Sequence, residues 1–286
     1  MGYLRFNYRS DALNRYIDIS IVYPTDLYCY YDMSKGNRHH AAPGAPFRRT
    51  YNRDMKFQTI YLMHGGGDDD SLPFRYTSVE RYAQKNNVMI VTPDIANSFG
   101  ADTNYGVEYQ TFITQELPVV VQSLFASSDK REDNFIVGFA MGGNVALASA
   151  LFSPEKYSVC VDMSGGIGYT LDTAQLMTEL ASDHFKNSFK IYNSTFGESE
   201  DVETSRHNLY EAAKAISDEE KKKIKFYLIA GSEEGAIGER VAKDAQILKE
   251  LDFDVSYLCL EGYGHDYTLW DMMLDKLLSE VLPLDR

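Results

Sequence analysis

Asn134-Phe135-Ile136-Val137-Gly138-Phe139-Ala140-Met141-Gly142-Gly143 decides the fold. Phe135-Ile136-Val137 is continuously apolar, and the residues from Gly142 to Phe152 follow with helical periodicity and no loop between. Gly138 and Gly142 are spaced about residue 140 as in the G-x-S-x-G turn, which carries a strand straight into a helix and lifts one side chain above the sheet. Such a turn requires small neighbours. Its central residue is held in a strained backbone conformation, and glycines leave room where strand and helix nearly collide. Gly143 and Ala146 continue the run of small residues, as close helix–sheet packing demands. The central position, where a hydroxyl would attack a carbonyl carbon, holds Ala140. A methyl group cannot attack.

Outward from this turn, short β-rich runs alternate with longer amphipathic stretches. Strands are predicted at Ile17–Tyr23, Gln58–Met63, Val88–Thr92, Asn134–Phe139, Ser158–Met163, Lys225–Ala230 and Val255–Leu260. Helical segments are predicted at Tyr76–Asn86, Val107–Phe125, Gly142–Phe152, Ser205–Ser217, Gly238–Leu251 and Tyr267–Leu282. Central runs such as Phe226-Tyr227-Leu228-Ile229 do not alternate, as expected for parallel strands covered on both faces. The pattern predicts a doubly wound α/β fold with its ligand site at the carboxyl ends of the strands. No internal repeat and no Pro/Gly/Ser linker divides residues 1–286, so one domain is expected. Two segments depart from the pattern. Thr25–Lys56 is loop-like and carries Lys35, Arg38, Arg48, Arg49, Arg53 and Lys56 against Asp26, Asp32 and Asp54, a local charge of +3. Gly165–Asp201 is irregular and reads either as an insertion covering a pocket or as surface decoration.

Composition excludes several classes. With 44% hydrophobic residues in 286, the chain can bury a sizeable core. Its 28 Lys and Arg against 42 Asp and Glu give a net charge of −14, which repels a phosphate backbone, so no nucleic-acid partner is expected. No apolar run approaches the roughly 20 residues of a membrane span. Met1–Ser10 lacks the apolar stretch of a secretion signal, which points to the cytoplasm and leaves open a mature secreted form. Cys29, Cys160 and Cys259 are odd in number, and buried free thiols are expected rather than a disulfide framework.

Further chemistry-bearing residues follow the predicted strands. Tyr61-Leu62-Met63-His64-Gly65-Gly66-Gly67 ends an early strand in a glycine turn, where a backbone N–H can face a developing oxyanion; Met141, after the elbow residue, can supply another. Gly231-Ser232-Glu233-Glu234 ends a late strand with two carboxylates, and Gly264-His265-Asp266 follows the last one. Nucleophile position, acid and histidine thus fall in the order found in the G-x-S-x-G enzymes. His265 suits proton transfer because an imidazole titrates near neutrality, and His64 is expected to shape the glycine turn by hydrogen bonding. Gly65, Phe99, Tyr105 and Trp270 are candidates for the substrate pocket. Ser164 lies one strand too late for an elbow and reads as a turn serine. His39-His40 matches no metal spacing, and Asp68-Asp69-Asp70 reads as a solvated acidic loop with calcium as the alternative.

In these features the chain resembles the α/β-hydrolase esterases that include tributyrin esterases, feruloyl esterases of carbohydrate esterase family one and S-formylglutathione hydrolases. Ser78-Val-Glu-Arg-Tyr, Asn104-Tyr-Gly-Val-Glu-Tyr, Gln115-Glu-Leu-Pro and Gly264-His265-Asp266-Tyr267-Thr268-Leu269-Trp270 are similar to the tributyrin esterase branch. The resemblance implies a serine at position 140 in the parent form, an acid at Glu234 where the family has aspartate, with Glu233 as the alternative, His265 as base, and an oxyanion hole from Gly66 and Met141. It implies a carboxylesterase for small acyl or hydroxycinnamoyl (feruloyl-type, plant-derived) esters, without cofactor or metal, that often self-associates as a homo-oligomer. Because the histidine, the glycine turn and the elbow glycines all remain, Ala140 reads as a replacement of that serine, giving a chain that binds an ester without turning it over. The alternatives are a thioesterase of the S-formylglutathione hydrolase kind and a naturally inactive ligand-binding module. The basic excess in Thr25–Lys56 would favour a carboxylated ester.

Overall fold

The computed structural model describes residues 2–25, 54–168, 186–197 and 205–285, with the backbone alone for 186–189. Arg48, Arg49, His39, His40 and Cys29 in the basic segment lie outside the described residues, as does most of Gly165–Asp201. The described strands are β1 (Gly2–Ser10), β2 (Arg15–Tyr23), β3 (Thr59–Met63), β4 (Met89–Pro93), β5 (Asn134–Phe139), β6 (Val159–Met163), β7 (Lys225–Gly231) and β8 (Asp254–Leu260). They form one sheet in the order β1-β2-β4-β3-β5-β6-β7-β8. β1 and β2 pair antiparallel, β2 joins β4 antiparallel, and every pairing from β4 to β8 is parallel.

Every residue of β3, β4, β5 and β6 is buried, which accounts for their predominantly apolar sequences. The strands alternate their side chains between two apolar layers. Ile136, Cys160, Phe226 and Leu228 enter one with Val145 and Leu147 of the elbow helix; Phe135, Val137 and Phe139 enter the other with Leu269, Trp270 and Leu274. The described helices include α1 (Val79–Asn86), α2 (Leu117–Leu124), α3 (Met141–Phe152), α4 (Lys186–Phe196), α5 (Leu209–Ala215), α6 (Ala236–Glu250) and α7 (Tyr267–Lys276). α3 is buried from Met141 to Leu151, so its small residues are a packing requirement. Parallel register levels the strand ends: Met63 sits beside Gly138, Phe139 beside Met163, and Met163 beside Ile229. The residues after β3, β5, β6 and β7 therefore emerge along one edge.

The structure departs from the sequence reading at three places. The N-terminal segment is a strand: Leu4, Phe6 and Tyr8 alternate with exposed residues and pack against the core, while Asn14, at φ 50°, turns the chain back into β2. Glu116 secures that turn by accepting from Ser10 Oγ (2.9 Å), Tyr8 Oη (3.0 Å) and the Asp11 and Ala12 N–H groups (3.1 and 2.9 Å). The aspartate run is not a solvated loop. Asp70 is buried and takes two hydrogen bonds from Arg5 (2.6 and 3.0 Å) and one from Ser20 (2.6 Å). Asp69 accepts from Ser71 N (2.8 Å), and Asp68 from Tyr267 Oη (2.8 Å). Among the described residues no group of three His, Cys, Asp or Glu is placed to hold a metal ion, and no helix is long and apolar enough to cross a membrane. Of the thiols, Cys160 is buried, but Cys259 is exposed on β8, the last strand of the sheet among the described residues.

A Cβ built on Gly142 would lie 2.2 Å from the Met63 carbonyl oxygen and 2.5 Å from that of His64, both backbone atoms. Gly142→Ala should therefore force α3 away from β3 and destabilise the fold by about 3 kcal/mol. Urea unfolding measures this, and an unchanged midpoint would show that helix and strand are not in contact there.

Candidate active site

Ala140 stands between β5 and α3 at φ 49° and ψ −119°, a region that costs a non-glycine residue about 1–3 kcal/mol. Its N–H donates to the Met163 carbonyl (2.8 Å), and its own carbonyl accepts from Gly143 and Asn144 (2.9 and 3.3 Å). A Cβ on Gly138 would sit 2.0 Å from the Gly142 oxygen, and one on Gly143 would sit 2.0 Å from Asp162 Oδ1. The turn is thus wedged between its neighbours, which leaves residue 140 one orientation. Met141 opens α3, where an N–H precedes any intrahelical acceptor and faces outward.

The glycine turn after β3 runs alongside. Cβ positions on Gly65 and Gly66 would lie 3.8 Å from Ala140 Cβ and 3.9 Å from Met141 Cβ, respectively. His64 is fully buried and braces the turn. The Ile95 N–H donates to Nε2 (3.0 Å), so Nε2 is an acceptor and Nδ1–H donates to the Gly65 carbonyl (2.8 Å). Asn97 Oδ1 holds the Gly67 N–H at 2.6 Å.

The two carboxylates after β7 differ in kind. Glu233 is exposed, whereas Glu234 is buried. Glu234 Oε1 accepts from Ser164 Oγ (2.6 Å) and the Gly231 N–H (3.1 Å); Oε2, which has no hydrogen-bond partner among the described residues, faces His265 Nδ1 at 3.7 Å. The His265 side chain is 33% exposed, so its far edge reaches the open side of the sheet edge. Its ring stands edge-on to Trp270, centroids 5.1 Å apart, and the indole stacks on Phe139 at 5.4 Å. Residue 265 is thereby anchored to the last residue of β5, immediately before Ala140.

Several expectations change here. Trp270 is buried behind His265, with its Nε1–H donating to Ser164 Oγ (3.1 Å), so it backs the histidine. Tyr105 lies in a turn and is 58% exposed. Phe99, at φ 54°, is buried against Tyr192 and Phe196, and the cavity it lines includes none of Ala140, Glu234 and His265. Ser164 proves to be more than a turn residue. Buried at φ 67°, it links the indole to the carboxylate. The Gly-Gly pair after it was the available sign: the Gly165 and Gly166 N–H groups donate to Asp162 (both 2.8 Å), whose pKa burial pushes up to about 7 against those bonds.

An elbow on the central strand, two N–H groups beside it, and an imidazole backed by a buried carboxylate define the framework of a carboxylic ester hydrolase with the α/β-hydrolase fold. The chain belongs to the family described as putative esterase, whose model matches residues 45–280. It is similar to an acetyl esterase of Caldicellulosiruptor saccharolyticus, 23% identical over 278 residues that cover 95% of this chain and 94% of that protein. Among solved structures it is similar to the Staphylococcus aureus fluorophosphonate-binding serine hydrolase FphF, TM-score 0.78 at 23% identity over 98% of both chains. The S-formylglutathione hydrolase FrmB of the same organism matches with TM-score 0.75 and 23% identity, again over 98% of each chain.

Ser164→Ala would remove one of two donors to Glu234 Oε1 and the acceptor of the Trp270 N–H. The loss should destabilise the protein by about 1–3 kcal/mol. Since the sequence contains 1 Trp, intrinsic emission reports on this bond directly. Unchanged emission and stability together would remove Ser164 from the network.

Proposed function

We propose that the chain is a serine carboxylesterase for small acyl or hydroxycinnamoyl esters in which alanine replaces the serine nucleophile at position 140. As it stands it binds its ester and does not turn it over. In the serine form, the hydroxyl at 140 attacks the ester carbonyl while His265 takes its proton. The oxyanion is held by the Gly66 and Met141 N–H groups; the alcohol leaves with the proton returned by His265, and water then releases the acid. Glu234 holds the imidazole in the tautomer that presents Nε2 to residue 140 and stabilises the imidazolium. No cofactor enters this sequence of steps.

The observation that carries this reading is the backbone of Ala140. Its φ of 49° is held by hydrogen bonds from both sides although its methyl has no chemistry to perform. Such strain is maintained where a side chain must be aimed. The acetyl esterase relative supports a small acyl group; the likeness to FrmB extends to the fold and leaves thioester hydrolysis as the competing reading.

Ala140→Ser should raise turnover of p-nitrophenyl acetate or butyrate by on the order of a millionfold over the present chain. A folded Ala140→Ser protein without activity on acetyl, butyryl, feruloyl or formyl-thioester substrates would defeat the proposal. Higher kcat/KM on S-formylglutathione than on methyl ferulate and p-nitrophenyl acetate would favour the thioesterase reading. In the Ala140→Ser background, Glu234→Gln should lower kcat by on the order of ten-thousandfold, because the wrong histidine tautomer is favoured. Glu233→Gln should leave it nearly unchanged. The reverse ranking would reassign the acid.

A further inference from the structure

Three aspartates follow the glycine turn, and the fold takes up two of them. Asp70 is buried against Arg5 and Ser20, and Asp69 closes on Ser71. Asp68 is different. It is partly exposed and forms no ion pair among the described residues. Its Oδ2 accepts from Tyr267 Oη at 2.8 Å; Oδ1 is not buried and has no hydrogen-bond partner among the described residues.

That carboxylate stands beside the elbow. A Cβ built on Gly65 would lie 3.2 Å from Asp68 Oδ2 and 3.8 Å from Ala140 Cβ. Carboxylate and methyl therefore flank one small space, within about 7 Å of each other, where a charge acts on the reacting atoms. Tyr267, which holds the acid, belongs to the histidine loop. Its ring is stacked on Tyr76, centroids 5.1 Å apart, and stands at 79° to Trp270 at 4.9 Å. Burial, then the bond to Asp68, pushes the Tyr267 phenol pKa up, so its hydroxyl remains a donor. Gly66, Gly67 and His265 nearby are exposed, and this is the edge from which an ester reaches residue 140. A carboxylate without a counter-charge at that place has two effects. It opposes the negative charge that develops on the carbonyl oxygen of a neutral ester, and it attracts a positive group on the substrate. The net charge of −14 draws cations to the molecule as a whole.

We propose that Asp68 is a specificity-determining residue of this site and selects esters that carry a positive charge, above all esters of amino alcohols. The inference rests on the reading of residue 140 as the nucleophile position. In such esters the ammonium group lies only a few bonds from the carbonyl, which matches the short separation of Asp68 from residue 140. Oδ1 is the oxygen available to the ammonium, while Tyr267 keeps the carboxylate in place through Oδ2. A carboxylated ester is repelled, opposite to the preference expected from the basic excess of Thr25–Lys56.

Acetylcholine, its uncharged carbon isostere dimethylbutyl acetate and the anionic acetoxyacetate serve as probes. In the chain as it exists they are titrated into isotopically labelled protein and followed by two-dimensional NMR. Acetylcholine should give saturable shifts centred on Gly65–Asp68 and bind about tenfold more tightly than the isostere, with acetoxyacetate weakest. Added salt should shrink the difference. In the Ala140→Ser protein the same order should appear in kcat/KM. Asp68→Asn keeps an oxygen for Tyr267 but removes the charge, and should bring the cationic and neutral esters to within about twofold by lowering the first and raising the second. Tyr267→Phe, which keeps the charge, should preserve the sign of the preference. Equal affinity for acetylcholine and its isostere would overturn the proposal, and that comparison needs no variant to fold. A preference that survives Asp68→Asn would overturn it too, as would an equal loss on all three esters in that variant, the mark of a purely structural acid. An Ala140→Ser protein inactive on every ester would instead defeat the catalytic reading, and the binding order in the present chain and in its Asp68→Asn variant would still decide this one.

Discussion

β5 and α3 meet at Gly138 and Gly142 with no room for a Cβ, and the functional edge is organised around that approach. The built Cβ of Gly138 falls 2.0 Å from the Gly142 oxygen, that of Gly142 falls 2.2 Å from the Met63 oxygen, and that of Gly165 falls 2.5 Å from the Asn144 nitrogen. The first turn of α3 is therefore inserted between the ends of β3 and β6 with no slack. A chain forced through that gap has one way to turn, which is to give residue 140 a positive φ and send its Cβ upward. The same contacts fix the neighbouring loops. The glycine turn after β3 and the Ser164 turn after β6 are held against α3, and the groups they carry are held with them.

A second consequence follows from parallel pairing. Because the ends of β5, β6 and β7 are level, Phe139, Ser164 and Glu234 emerge near one another and can be joined by short polar contacts. Trp270 connects them: its face lies on Phe139, its ring stands perpendicular to that of His265, and its N–H reaches Ser164. The carboxylate is buried, a costly placement unless its oxygens are occupied. Two donors satisfy Oε1 and leave Oε2 for the imidazole. Glutamate has the length for this division. Its extra methylene lets one oxygen fold back on the Gly231 N–H of its own turn while the other faces the next loop.

What was legible in the sequence was whatever sterics or covering by both layers dictates locally. β5 was predicted at its observed bounds because a strand buried on both faces is written as an uninterrupted apolar run, and Gly138 and Gly142 were recognisable because no other residue fits. β1 was missed because an edge strand needs only Leu4, Phe6 and Tyr8 on one face, with polar residues between them that also suit a loop. Glu233 and Glu234 could not be separated by order alone, since burial is decided by the return of the chain at Tyr263, whose carbonyl accepts the Glu233 N–H. The link between Ser164 and Trp270 is not legible for a related reason. Their roles are made by contacts across 106 positions of sequence, which no local pattern encodes.

The identity of residue 140 can be weighed against this frame. The hydrogen bonds that hold the elbow are made by its backbone N–H and carbonyl, and the close contacts by the glycines around it. Serine and alanine share the same Cβ and so bear the same conformational strain, which makes the scaffold indifferent to which of them is present. Glycine is different. It would adopt the same φ and ψ without the strain, and a chain drifting free of any chemical duty would gain stability by placing glycine there. Alanine keeps the Cβ and its strain while lacking the hydroxyl that would use it. That combination is what a direct replacement of serine leaves behind, and it supports reading the chain as an esterase with its nucleophile removed and the elbow, Glu234 and His265 retained.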